Sequence, residues 1–129
     1  MKRLILEKLE KWKQSKRRKP LLLRGARQVG KTWVLKEFGN TFADGFVHID
    51  FDKQVEYRQF FEQTKDVKRI LDNLALATGK KITPKTLIIF DEIQACESAL
   101  NSLKYFYEDA PQYSVVGAGS LLGLKLASG

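Results

Sequence analysis

Between Pro20 and Phe38 the chain runs from Leu21-Leu22-Leu23 through Gly25-Ala26-Arg27-Gln28-Val29-Gly30-Lys31-Thr32 into a stretch with Val34, Leu35 and Phe38 at helical spacing. No other segment constrains the fold as much. An apolar run bounded by proline and glycine reads as a buried parallel strand. The stretch after it reads as a helix, stopped by Gly39-Asn40. Between them, glycine, four residues, glycine, lysine and threonine make a turn whose backbone N–H groups face one concavity, to which the helix adds its N-terminal dipole. Such a turn selects an anion, and the spacing predicts a polyphosphate. Gly25, Ala26, Arg27, Gln28, Val29 and Gly30 form the cradle. Lys31 then reaches the β- and γ-phosphates as a point charge, and the Thr32 hydroxyl completes the coordination of Mg2+. Arg27 also lies in the loop, at a position the pattern leaves variable.

The rest of the chain has a strand and helix rhythm. Leu4, Ile5, Leu9 and Trp12 predict an amphipathic helix over 2–14, broken by Lys16-Arg17-Arg18-Lys19-Pro20. Phe46 to Phe51 reads as the second strand, 54–62 and 66–78 as two helices, Thr86 to Phe90 as the third strand, 97–109 as a helix and Tyr113 to Ala118 as the fourth strand. Alternation of this kind predicts an α/β fold with parallel strands joined by right-handed crossovers. With 129 residues and no internal repeat or dividing linker, one domain is expected over 1–129: a basic helix and arm at 1–19 and a nucleotide-binding core at 20–129.

The third strand ends in two acids, Asp91-Glu92. Open parallel sheets bind ligands at the carboxyl ends of their strands, and phosphoryl transfer rests on positioning and charge compensation. Asp91 is therefore the candidate Mg2+ carboxylate, acting through water, and Glu92 the general base that polarises a hydrolytic water. Ser120, after the fourth strand, is a candidate sensor of the γ-phosphate and equally a turn or cap residue. Gln94 reads as a solvated loop amide within reach of the same water. Asp50 and Asp52 end the second strand, where they either approach the nucleotide site or are simply solvated strand-end acids, and His48 reads as a hydrogen-bonded core or interface histidine. Tyr105-Phe106-Tyr107 reads as the buried face of a helix with one ring turned outward.

Charge and composition limit the alternatives. Residues 1–36 hold 13 Lys and Arg against Glu7 and Glu10, a balance of +11, whereas the chain as a whole carries +8. This arm suits nucleic acid, an acidic partner or a nucleotide's phosphates, with Lys16, Arg17, Arg18 and Lys19 as the phosphate grip and Trp12 as a stacking ring. A solvated helix end with Trp12 packed on the sheet is the simpler reading. Apolar runs of a few residues exclude a membrane span, and the N-terminus is too polar for a signal-peptide core. A lone Cys96 suits a reducing cytoplasm.

Gly25 to Thr32, Leu87 to Gln94 and Tyr105 to Ser120 together resemble the prokaryotic AAA-type P-loop ATPases that carry a C-terminal domain of unknown function. The resemblance covers nearly the whole chain. It implies a P-loop NTPase fold of the ASCE/AAA type, a three-layer αβα sandwich with a mostly parallel sheet in the order 5-1-4-3-2. It also implies Lys31 and Asp91 on neighbouring strands, Ser120 in the first sensor role, and ATP with Mg2+ as cofactors. The chain shows four strand candidates before Gly129. The expectation is therefore a core without strand five, the later arginine, the helical lid or the C-terminal domain, which binds nucleotide with weak or no turnover and self-associates through an exposed sheet edge. The full-length parent would hydrolyse ATP to drive a conformational change in a partner or attached domain. The alternatives are a nucleic-acid-binding module built on the basic arm and a small-molecule P-loop kinase. A kinase uses its acceptor hydroxyl where this chain places Glu92. The absence of an Asn-Lys-x-Asp tetrapeptide favours ATP over GTP.

Overall fold

Leu87–Asp91 is buried along its whole length, and the architecture follows from that strand needing cover on both faces. The computed structural model describes residues 2–15, 19–25 and 30–120. In chain order the elements are α1 (Lys2–Gln14), β1 (Leu21–Gly25), α2 (Lys31–Gly39), β2 (Phe46–Asp50), a 3-10 turn (Val55–Tyr57), α3 (Gln59–Glu62), α4 (Val67–Thr78), β3 (Leu87–Asp91), a second 3-10 turn (Ile93–Ala95), α5 (Glu97–Asp109) and β4 (Ser114–Ser120). The four strands form one parallel sheet in the order β1-β4-β3-β2.

Period-two alternation divides the sheet's side chains between two cores. Ile88 and Phe90 of β3, with Val47, Ile49 and Val115, meet α3, α4 and α5 through Phe61, Ile70, Leu74, Ala99 and Phe106. Leu87 and Ile89, with Leu23, Val116 and Ala118, meet α1 and α2 through Leu9, Val34, Leu35 and Phe38. The result is a three-layer αβα sandwich. Local signals agree with it. The Asp66 carboxylate caps α4 by accepting from the Lys68 and Arg69 N–H groups, and Gly79 ends that helix at φ 72°. Trp12 packs at a tilt on Phe38, and its indole N–H donates to the Lys19 carbonyl. Among the described residues, no helix is long and apolar enough to cross a membrane.

Two expectations need correction. Residues 54–62 are not one helix but a 3-10 turn followed by a single helical turn. Val55 is exposed while Phe61 is buried, so the apolar residues there do not share a helical face. Lys31 and Asp91 do not follow neighbouring strands either, because β4 lies between β1 and β3. The crossover from β1 to β2 joins opposite edges of the sheet and carries α2 across it to pack on β2 and β3. That path brings the first turn of α2 to the end of β3.

The close approach of α2 to β2 depends on Gly39. A Cβ added there would lie 2.6 Å from the Phe46 Cβ, which cannot swing aside as a side-chain tip would. Gly39→Ala should lower stability by about 1–3 kcal/mol in urea denaturation; an unchanged midpoint would mean that the two elements do not approach so closely.

Candidate functional site

At the carboxyl end of the sheet, Lys31, Thr32, Asp50, Asp52, Lys53, Asp91 and Glu92 line one cleft of about 240 Å³. The helix that supplies two of them begins without a side-chain cap. Gly30 occupies the N-cap at φ 68° and ψ 27°, a left-handed conformation glycine adopts freely, and the first turn of α2 carries no acid. The N-terminal dipole of α2 therefore meets no carboxylate on its own turn. Lys31 follows at 4% exposure, and its buried Nζ has no hydrogen-bond partner among the described residues. An unpaired buried ammonium is costly, which marks this position as one kept for something other than stability.

Asp91 organises the opposite side of the cleft. It is 2% exposed. Its Oδ2 accepts the Thr32 hydroxyl at 2.6 Å and lies 3.0 Å from His48 Nε2, while its Oδ1 accepts the Glu92 N–H at 3.0 Å. Burial pushes its pKa up, but the hydrogen bonds from His48 and Thr32, with the charges of His48 and Lys31, outweigh burial and hold the carboxyl below its usual value. Glu92 sits at φ 48°, the only positive φ outside glycine among the described residues. Its Oε2 accepts the Gln94 amide at 2.9 Å. On the β2 side, Asp50 Oδ1 accepts the Asp52 and Lys53 N–H groups at 3.0 and 3.1 Å, which fixes that wall.

The structure thus gathers Lys31, Thr32, Asp91 and Glu92 at one place. It shows Gly25 and Ser120 as the paired last residues of β1 and β4, with Gly30 at the start of α2. Ala26, Arg27, Gln28 and Val29 lie outside the described residues, as do Lys16, Arg17 and Arg18 of the basic arm. Lys19 is described, with its ammonium 5.2 Å from the Tyr107 ring centroid. Three contacts were not legible in advance. His48 bonds the buried carboxylate, Gln94 is half-buried against Glu92, and Lys53 joins Asp50 and Asp52 in the wall. The first depends on the pairing of β2 with β3, which sets Asp50 opposite Asp91. A larger hollow of about 750 Å³ lies between the connection from α3 to α4 and α5. It shares no lining residue with the cleft and holds no buried unpaired polar atom among the described residues.

The donor set of the cleft is a cation beside hard oxygen ligands, the combination that a phosphate chain with Mg2+ requires. Comparison with known proteins agrees: a family model described as an AAA domain matches residues 17–128. The chain belongs to the AAA domain family. The parallel sheet and its flanking helices are those of a P-loop NTPase-like fold. Membership makes the AAA chain a nucleotide-binding, ATPase-like module, in a family that typically binds ATP with Mg2+. No curated protein matches it.

The lowered pKa of Asp91 gives a signed pH dependence. A carboxyl depressed on folding contributes stability above its unfolded value, near 3.8, and loses it as pH falls through the folded value. The stability that the protein has over Asp91→Asn should shrink as the pH falls below about 4 in urea titrations. A difference that grows on acidification would contradict the donor set around Asp91.

Proposed function

We propose that the AAA chain binds ATP with Mg2+ in the cleft at the end of β3, and that the whole protein hydrolyses ATP to change the conformation of a partner or an attached domain. One observation carries the reading: Lys31, whose buried ammonium has no hydrogen-bond partner among the described residues, lines the same cleft as the Thr32–Asp91 pair. Lys31 would hold the β- and γ-phosphates, with the backbone of Gly25, Ala26, Arg27, Gln28, Val29, Gly30 and Thr32 around them. Thr32 keeps its hydroxyl proton on Asp91, which leaves its oxygen lone pairs for Mg2+, and Asp91 would approach the ion through water. Held there, Mg2+ would supply charge compensation to the phosphate chain.

The remaining residues act on the water and the phosphate end. Glu92, held by Gln94, would accept a proton from the hydrolytic water as general base. Ser120, at the end of the strand between β1 and β3, would sense the γ-phosphate.

Calorimetry tests this reading. Mg2+ with ATP should bind the protein, and Lys31→Ala should weaken binding at least about tenfold, the worth of a charged hydrogen bond. Equal affinities would sink the reading. In the full-length protein, Glu92→Gln should keep the nucleotide affinity and lower hydrolysis by about 10²- to 10⁴-fold. Without nucleotide, Lys31→Met should raise the unfolding free energy by on the order of 1–3 kcal/mol, because it removes a buried polar group that has no hydrogen-bond partner among the described residues. A loss of stability instead would show that Lys31 has a structural partner in the native protein.

A further inference from the structure

The chain has a single histidine, and it touches the carboxylate at the centre of the cleft. His48 lies mid-strand on β2, opposite Ile89 in the parallel register. From that position it reaches two residues along β3, placing Nε2 3.0 Å from Asp91 Oδ2. The side chains are 17% and 3% exposed, so this contact is largely shielded from water. An ionised carboxylate only accepts hydrogen bonds. Whether it carries one proton or two, the ring must therefore have a proton on Nε2.

Asp91 consequently has donors from three elements: Thr32 of α2 and His48 of β2 on Oδ2, and the Glu92 N–H that follows β3 on Oδ1. The three do not do the same work. The Glu92 N–H is adjacent in the chain and would follow any small movement of Asp91. The Thr32 hydroxyl rotates about its own Cβ–Oγ bond and also has to present lone pairs to a cation. The imidazole is a planar donor on a packed strand, so it fixes where Oδ2 lies whatever the hydroxyl does. Partners of this kind orient the oxygens that face a metal and are costly to remove.

We propose that His48 is a positioning residue for the metal. Its Nε2–H holds Asp91 Oδ2 against the Thr32 hydroxyl, so that the Thr32 oxygen and, through water, the free lone pairs of Asp91 are preset for the Mg2+ of a bound nucleotide. The inference rests on the nucleotide reading and adds a residue to it. A histidine that only stabilised the core would affect nucleotide affinity with and without metal alike. A positioning histidine affects the part that Mg2+ adds.

The test uses the full chain and ADP, titrated with Mg2+ and with a chelator, in the wild type, His48→Leu and His48→Gln. The readout is the ratio of the two affinities. His48→Leu should reduce that ratio about tenfold and shift the metal-free affinity by less than about twofold. His48→Gln, which keeps an N–H donor, should recover part of the loss. An unchanged ratio in folded His48→Leu overturns the proposal, as does a parallel fall of both affinities with a lower thermal midpoint. A wild type that binds no ADP at all overturns the nucleotide reading itself, and the role of His48 falls with it. Should His48→Leu not fold, imidazole ¹⁵N spectra of the wild type decide, because one histidine gives one set of signals. The Nε2–H tautomer, with a shift on adding Mg2+ to the ADP-bound protein beyond that caused by ADP alone, supports the proposal. The Nδ1–H tautomer or no response to Mg2+ overturns it.

Discussion

A carboxylate buried as deeply as Asp91 keeps its charge only if donors replace the water it has lost. Much of the architecture near the cleft can be understood from that demand. The donors come from α2, from β2 and from the backbone just beyond β3, so three separate elements must converge on one side chain. Close by, Lys31 is buried without a hydrogen-bond partner among the described residues, and its charge helps to keep Asp91 ionised. Acid and base here are not a mutually satisfied ion pair. Among the described residues the acid has three hydrogen-bond donors and the base has no hydrogen-bond partner, an asymmetry that leaves the positive charge available to a ligand.

Sheet order explains how the convergence is reached. β1 and β2 lie at opposite edges of the described sheet, with β4 and β3 between them. A right-handed crossover linking those edges has to carry its helix over the two middle strands. α2 accordingly packs on β2 and β3 rather than over β1 alone, and Gly39 allows its far end to settle on Phe46. The first turn then lies beside Asp91, and Thr32 reaches it directly. Parallel pairing completes the arrangement by aligning Asp50 with Asp91, which makes the end of β2 the opposite wall of the same cleft.

Much of the fold was legible because its signals are local. The α5 helix occupies 97–109 as its apolar spacing predicts, α4 has its Asp66 cap and Gly79 stop, and β3 shows the unbroken apolar run of a strand covered on both faces. Where apolar residues lack a period, as in 54–62, the sequence reading merged two short turns into one helix. The glycine-rich turn and the acids of β3 could be recognised as halves of one arrangement, but their meeting depends on a crossover whose path no local pattern specifies. His48 was harder still. It precedes Asp91 by 43 residues, and only the strand neighbours and their register, which are tertiary facts, bring the two together. Gln94 carries no periodic signal at all, and its contact with Glu92 comes from the 3-10 turn that follows the strand.

The conformation of Glu92 shows why that turn is there. Had β3 continued as an extended strand, residue 93 would share the face of Asp91 and residue 92 would point away from α2. Instead Ile93 is buried in the core on the α3–α5 side, with Ile88 and Phe90, and Glu92 lines the cleft together with Asp91. A single left-handed residue makes the exchange. For a residue with a Cβ that conformation costs on the order of 1–3 kcal/mol, offset in part by the burial of Ile93 and the hydrogen bond from Gln94. Glycine would adopt the turn more easily, but it would bring no carboxylate. The strain is what allows two consecutive acids, which a regular strand would send to opposite faces, to serve one cleft.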